Sequence, residues 1–300
     1  MFAIELDSAS KYYKRDTGLE ATRLTIEAGA FYGILGPVQS GKTTLLRLAM
    51  GYIRPTGGHV RVFDMDSVRD SVRIRRNVGY IPQTLGGHSN LTLRDLFTGI
   101  RRYVGPFDYS RTAELCVRFG LDMGMRYANL DAAERRRFAI VAAQLNDPPL
   151  MLVDEPSLEL QSFERDNLFA LLHELHQNGT TVVITTDRVE EISTHCTDVA
   201  VLHAGTLLSA GPVEQLEALH ARRISVEADD ARGFAEALGI TNFSSDAQKV
   251  TFTYAGSADV FVKTLANYNV RSLTVSEPST ESVLVASRIT KGGVVRETEV

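Results

Sequence analysis

Lys42 and Thr43 lie near the end of Gly36-Pro37-Val38-Gln39-Ser40-Gly41-Lys42-Thr43-Thr44, which reads G-x-x-x-x-G-K-[ST]. These residue types at this spacing suit phosphate binding. Gly36 and Gly41 allow torsions and a close approach that side chains would block. The Lys42 ammonium can reach the β- and γ-phosphates, and the Thr43 hydroxyl can coordinate Mg²⁺. Gln39, Ser40 and Thr44 are the other loop positions expected to touch nucleotide. Two acids end the apolar run Leu150-Met151-Leu152-Val153-Asp154-Glu155. Asp154 is expected to hold Mg²⁺, directly or through water, and Glu155 to polarise an attacking water. A strand end capped by solvated acids is the plainer alternative, and the phosphate loop upstream argues against it.

The flanks supply what such residues need for positioning. Phe31 to Leu35 is a short apolar run, the pattern of a buried parallel strand, and Leu45 to Met50 is rich in helix formers. A strand entering a glycine loop that opens a helix aims backbone N–H groups and the positive end of the helix dipole at one point. Pro148 and Pro149 cannot continue a helix, so a strand starts there. Delivering acids to that strand's carboxyl end suits the ligand crevice of an open parallel sheet.

Phe2 to Leu6 and Ala21 to Glu27 alternate with the period of strands. Tyr13, between them, is either a base-stacking aromatic or a half-exposed strand tyrosine. Strands are also expected at His59–Phe63, Asn77–Ile81, Thr181–Thr185 and Val199–Leu202, with a hairpin at His203–Thr206. Gln83, after the Asn77–Ile81 strand, can bridge a metal-bound water or be a plain loop residue. Residues 84–148 carry helical periodicity and read as an insertion into an α/β core. Arg188 to Ile192 is a short helix. From Arg223 the order is β-α-β-β-α-β, with strands at Ile224–Ala228, Ile240–Phe243, Val250–Tyr254 and Val270–Val275, the pattern of a ferredoxin-like plait. The expected division is therefore a nucleotide-binding domain over 1–220, an accessory α+β domain over 223–288, and a polar tail over 289–300.

Composition narrows the class. Hydrophobic content of 44% and charged content of 23% are ordinary for a globular chain with a full core. The net charge of −5 speaks against a nucleic-acid partner. No apolar run approaches the roughly 18 residues that span a bilayer. Cys116 and Cys196 lack metal-ligand spacing and read as reduced thiols of a cytosolic protein.

Taken together, these residues resemble the ATP-binding subunits of ABC transporters, of the drug- and polysaccharide-exporter type. Gly36–Thr44 stands at the family's phosphate loop, Gln83 at its lid glutamine and Glu155 at its catalytic glutamate. Tyr13 falls at the adenine-stacking aromatic. Glu277-Pro278-Ser279-Thr280-Glu281-Ser282-Val283 resembles the end of the extra C-terminal domain. The resemblance implies an ABC-type P-loop NTPase fold: a mixed sheet core, an antiparallel β-subdomain, a helical insertion and the ferredoxin-like addition. It implies ATP and Mg²⁺, and a head-to-tail dimer with a second ATP-binding subunit, itself or a paralogue. It also implies a polytopic membrane permease gripped by Gln83 and the helical insertion. The chain is then cytoplasmic, peripheral on the inner face of the cell membrane. The runner-up expectation is a regulatory protein that senses ATP and hydrolyses little. A soluble ABC protein of DNA repair or translation fits the acidic balance and the C-terminal addition poorly.

The departures from the family are selective. Its signature Leu-Ser-Gly-Gly-Gln is here Leu130-Asp131-Ala132-Ala133-Glu134, and the usual serine and second glycine become Asp131 and Ala133. Asp131 and Glu134 spell an acidic capping box at a helix start. A carboxylate about 5 Å from a phosphate charge costs roughly 3 kcal/mol at an effective dielectric near 20, about two orders of magnitude in affinity. Pairing of Asp131 with Arg135 or Arg136 would offset this. The family's switch histidine is replaced by Asp187, which accepts hydrogen bonds and cannot donate one when ionised. Asp187 and Glu190 again read as a D-x-x-E cap. Gln161 stands where an aspartate is usual, and Val38-Gln39 replaces Asn-Gly, a smaller change where backbone groups do the binding. Mg-ATP binding with hydrolysis impaired in the chain alone is the expectation.

Overall fold

The computed structural model describes residues 1–13, 17–87, 89–105, 108–240, 243–246 and 249–290. Part of the expected Ile240–Phe243 strand and the tail from Lys291 lie outside the described residues. In chain order the elements are β1 (Phe2–Tyr12), β2 (Thr17–Glu27), β3 (Phe31–Leu35), α1 (Lys42–Ala49), β4 (Gly57–Val62), β5 (Met65–Asp66), α2 (Ser71–Arg76) and β6 (Val78–Ile81). The helical stretch follows: α3 (Leu93–Val104), α4 (Tyr109–Arg118) and α5 (Ala132–Ala142). Then come β7 (Leu150–Asp154), α6 (Ser162–Gln177), β8 (Thr181–Thr186), α7 (Val189–His195), β9 (Asp198–His203) and β10 (Thr206–Pro212).

β3 lies inside a six-stranded sheet of order β10-β9-β3-β8-β7-β6, parallel except for the β9–β10 hairpin. All five residues of β3 and of β7 are buried, as continuous apolar runs predict for strands covered on both faces. The register puts the working loops at one level. Leu35 pairs with Thr186 and Asp154 with Thr185, so the chains leaving β3 and β7 emerge on either side of β8. A second sheet, β2-β1-β4-β5, is antiparallel. The mixed core, the antiparallel sheet and the helical insertion match the expected P-loop architecture.

β11 (Arg222–Ala228), α8 (Ala231–Ala237), β12 (Ser244–Asp246), β13 (Lys249–Tyr254), α9 (Ala258–Leu265) and β14 (Val270–Val275) build a third sheet of order β12-β13-β11-β14. Each β-α-β unit is split by a strand of the other, and Val226, Phe234, Phe252 and Phe261 fill the interior. One expected strand is displaced. Ile240 belongs to the end of α8, because Gly239 (φ +74°) turns the chain left-handed. The Ile240 N–H then bonds the Ala235 carbonyl at 3.0 Å and the Gly239 N–H the Glu236 carbonyl at 2.9 Å, a Schellman close. The strand starts only at Ser244. The final helix, α10 (Thr280–Thr290), folds back so that Val283, Leu284 and Ala286 join the hydrophobic cluster of the parallel sheet.

Candidate functional site

The phosphate loop leaves β3 and opens α1. Gly41 has φ +103°, and a Cβ there would come within 2.5 Å of the Gly18 carbonyl oxygen. α1 starts with neither a side-chain cap nor an acid in its first turn, which leaves its N-terminal dipole for an anion. The buried Ser40 hydroxyl has no hydrogen-bond partner among the described residues. Gln39 is left-handed at φ +65°, a strain carried at the site where glycine is customary.

Opposite the loop, Thr43 Oγ1 donates to Asp154 Oδ2 at 2.8 Å, and Thr185 Oγ1 donates to Asp154 Oδ1 at 2.5 Å. Asp154 is 0% exposed, so both its oxygens are oriented by hydroxyls from flanking elements. Lys42, also buried, donates to the Gly36 carbonyl at 2.6 Å and the Pro37 carbonyl at 3.0 Å, and meets Glu155 Oε1 at 3.1 Å. Burial raises the Glu155 carboxyl above the usual range, with the Lys42 charge working against it. Glu155 sits at φ +54°, and its N–H bonds the Thr185 carbonyl at 2.9 Å.

Among the described residues, no group of three or more His, Cys, Asp or Glu side chains converges on a metal position. Mg²⁺ taken up with a triphosphate needs only one or two protein oxygens, and the adjoining Thr43 hydroxyl and Asp154 carboxylate are hard donors of the right kind. The uncapped helix, the unpartnered Ser40 hydroxyl and this oxygen pair fit a magnesium–triphosphate group.

The remaining expected residues are placed as follows. Tyr13, 43% exposed, directly follows β1 with its ring against Gly18, where Thr44 also packs, so it stands beside the first turn of α1. Gln83 is exposed, two residues past β6, whose Ile81 pairs with Val153. Asp131 is the N-cap of α5: its carboxylate accepts the Glu134 N–H at 2.7 Å, and Glu134 accepts the Asp131 N–H at 2.9 Å. Ala133 lies in that first turn. Neither arginine compensates the acid: Arg135 stands over the Tyr127 ring and Arg136 turns inward.

The cap expected of Asp187 does not form. Arg188 is the N-cap of α7, without a side-chain cap, and its N–H donates to Thr186 Oγ1 at 3.0 Å. The start of the helix is displaced by one residue. Asp187 has an exposed side chain, and its backbone carbonyl accepts a hydrogen bond from Thr280 Oγ1 at the start of α10.

Three contributing residues went unnoticed in the sequence. Thr185 and Thr186 end a strand with an apolar centre, Val182-Val183-Ile184, and nothing but the pairing of β8 shows that they anchor both loops. Arg136, in a run of three arginines, donates to the carbonyls of Pro82 at 2.5 Å, Asp154 at 2.9 Å and Glu155 at 2.6 Å. Its spacing from Ala139 and Ile140 was a legible sign that it faces the core.

A parallel strand, a glycine loop, an uncapped helix and a second strand of the same sheet ending in acids define a P-loop nucleotide-binding protein. Comparison with known proteins narrows this. Residues 19–158 match the ABC transporter family profile. The chain is 32% identical over 244 residues to the daunorubicin/doxorubicin resistance ATP-binding protein DrrA of Streptomyces peucetius, covering 78% of this chain and 73% of that one. It is 29% identical over 221 residues to the Nod factor export ATP-binding protein I of a Bradyrhizobium strain, covering 71% and 72% respectively. Among solved structures, an ATP-binding subunit of an ABC transporter shares the fold at a TM-score of 0.67 and 22% identity, over 72% of this chain and 92% of that one. The bacterial cassette MJ0796, described as dimeric, superposes at 0.64 with 25% identity, over 70% of this chain and 98% of that one. The chain belongs to the ATP-binding proteins of the ABC transporter family.

Proposed function

We propose that this chain is the energy-coupling subunit of a membrane exporter, which binds Mg-ATP and hydrolyses it weakly unless a partner completes the site. The observation carrying this reading is a contrast between two helix N-termini. α1 opens uncapped beside Lys42, Thr43 and Asp154, whereas α5, the signature helix, is closed by Asp131 and Glu134. The names of the relatives, drug resistance and Nod factor export, support an export role.

In this reading Thr43 and Asp154 hold Mg²⁺, with Gln83 reaching it through water. The metal supplies charge compensation to the triphosphate. Lys42 and the N–H groups of Gly36 to Thr44 hold the phosphates, and Tyr13 stacks on the base. Glu155 takes a proton from water, and its raised pKa makes it a stronger acceptor than an ordinary carboxylate. Asp131 and Ala133 face the partner's nucleotide in a head-to-tail dimer, where the carboxylate repels. Asp187 accepts where a donor is needed. The dimer partner is a second copy or a paralogue, and a polytopic permease holds the pair at the cytoplasmic face of the membrane. No helix of the described residues is long and apolar enough to cross a membrane.

Calorimetry of the purified chain is expected to show Mg-ATP binding that Lys42→Ala weakens about ten- to a hundredfold. Turnover of the chain alone stays below about 1 per second, and Asp131→Ser raises it. Absence of binding heat would end the proposal, and faster turnover would end the impairment. Binding without turnover even beside the membrane partner would instead make the chain a regulatory sensor of ATP.

A further inference from the structure

We propose that Arg136 is a positioning residue of the hydrolytic site, whose guanidinium locks the lid loop at Pro82 and the backbone of Glu155 onto the signature helix α5. The inference rests on the ATPase reading above, but its geometry is independent of nucleotide.

Arg136 is 1% exposed and is one of the largest fully buried side chains. Burying a guanidinium is costly, and such groups persist where hydrogen bonds and nearby charges compensate them. Here the compensation comes from one place. Nη1 donates to the Pro82 carbonyl, and Nη2 is shared between the Asp154 and Glu155 carbonyls. The Asp154 and Glu155 carboxylates add attraction at longer range. Burial still lowers the group to about 10, which leaves it charged at neutral pH.

The carbonyls it gathers are not equivalent chain positions. Pro82 precedes the lid glutamine Gln83, and Asp154 and Glu155 are the metal-binding and catalytic acids. One planar fork therefore spans the ends of two neighbouring strands from a third element.

Glu155 needs such a hold. Its φ of +54° is disfavoured for a residue with a β-carbon, and its carboxylate also meets Lys42 at 3.1 Å. A residue keeps such a conformation when its surroundings over-determine it. The Glu155 N–H is fixed by Thr185 and its carbonyl by Arg136, so the strained residue is pinned on both sides. Arg136 sits five residues after Asp131, on the same helix. Any displacement of the α5 N-terminus is thus transmitted through a rigid side chain to the lid loop and to the backbone of the catalytic acid. Lysine keeps the charge and cannot reproduce the fork.

The test uses the full chain with its membrane partner and the variant Arg136→Lys. Expected is a fall in kcat of about ten- to a hundredfold, with KM for ATP within about twofold. Backbone hydrogen exchange should rise in residues 78–85 and 154–158 while α5 beyond Ala139 stays protected. Arg136→Met, of similar length without donors, is expected to show the same pattern more strongly. Unchanged exchange in both segments, or a rise spread evenly over the chain, overturns the proposal, as does a loss confined to KM. The exchange measurement needs no nucleotide. A wild-type chain that fails to bind Mg-ATP would defeat the proposed function, and exchange would still decide the role of Arg136.

Discussion

Lys42 and Gln39 show how differently two loop residues meet the same constraint. Lys42 is buried and satisfied by two loop carbonyls and Glu155, so the loop is held in shape by its own cation. Gln39 carries a left-handed backbone with a β-carbon that disfavours it. Relieving that strain by Gln39→Gly is expected to stabilise the fold by about 1 kcal/mol, read as an upward shift in the urea midpoint. Nucleotide affinity changes less, because the groups that bind phosphate at this turn belong to the backbone. The sequence showed that glycine was missing there. It could not show that the substitute had kept glycine's torsion, since φ at one residue is imposed by the loop's two anchored ends.

Among the elements, α6 and α7 are joined by a histidine pair. His173 Nε2 and His195 Nδ1 share a hydrogen bond at 3.0 Å, and His195 stacks on Phe169 at 3.8 Å with an interplanar angle of 11°. Burial, with the neighbouring His173, pushes His195 down to about 4, and burial also lowers His173. Both rings are therefore neutral in the folded state at neutral pH. The unfolded chain takes up protons near the ordinary value of 6.5, well before the folded one does. Stability is thus level above that pH and falls as pH drops from about 6.5 toward 4, by about 1–2 kcal/mol at pH 5. Thermal unfolding of the wild type and of His195→Phe at pH 7.5 and 5.0 checks this. The variant keeps the stacking surface and should show a flatter acid limb. α6 itself had no motif to mark it, and the apolar residues that bury it were legible only as periodicity.

For the molecule as a whole, the last helix decides how the chain closes. Val283 is 0% exposed within the cluster of the parallel sheet, and Ser282 Oγ donates to the Ala221 carbonyl at 2.6 Å. Thr280 meanwhile donates to the carbonyl of Asp187, just past β8. Segments far apart in sequence thus share one core. Val283→Ala is expected to cost about 1–2 kcal/mol in urea unfolding. Val260→Ala on α9, at a position 52% exposed, should stay within about 0.5 kcal/mol. Equal effects would mean that α10 contributes nothing to the main core.

The phosphate loop, the acid pair at the end of β7 and the capping box at Asp131 were readable from the chain alone. Each is local: spacing along a few residues determines which backbone groups or side chains point together. The same locality explains where reading the chain failed. Asp187-x-x-Glu190 has the letters of a cap, but α7 begins one residue later, with Arg188 at its N-cap. Among three consecutive arginines, periodicity marks Arg136 as facing inward, but only the docking of α5 shows that it meets Pro82, Asp154 and Glu155. Strand order, the inward face of a helix and the fold-back of α10 depend on which distant surfaces exclude water together. That competition is settled only when the whole chain packs.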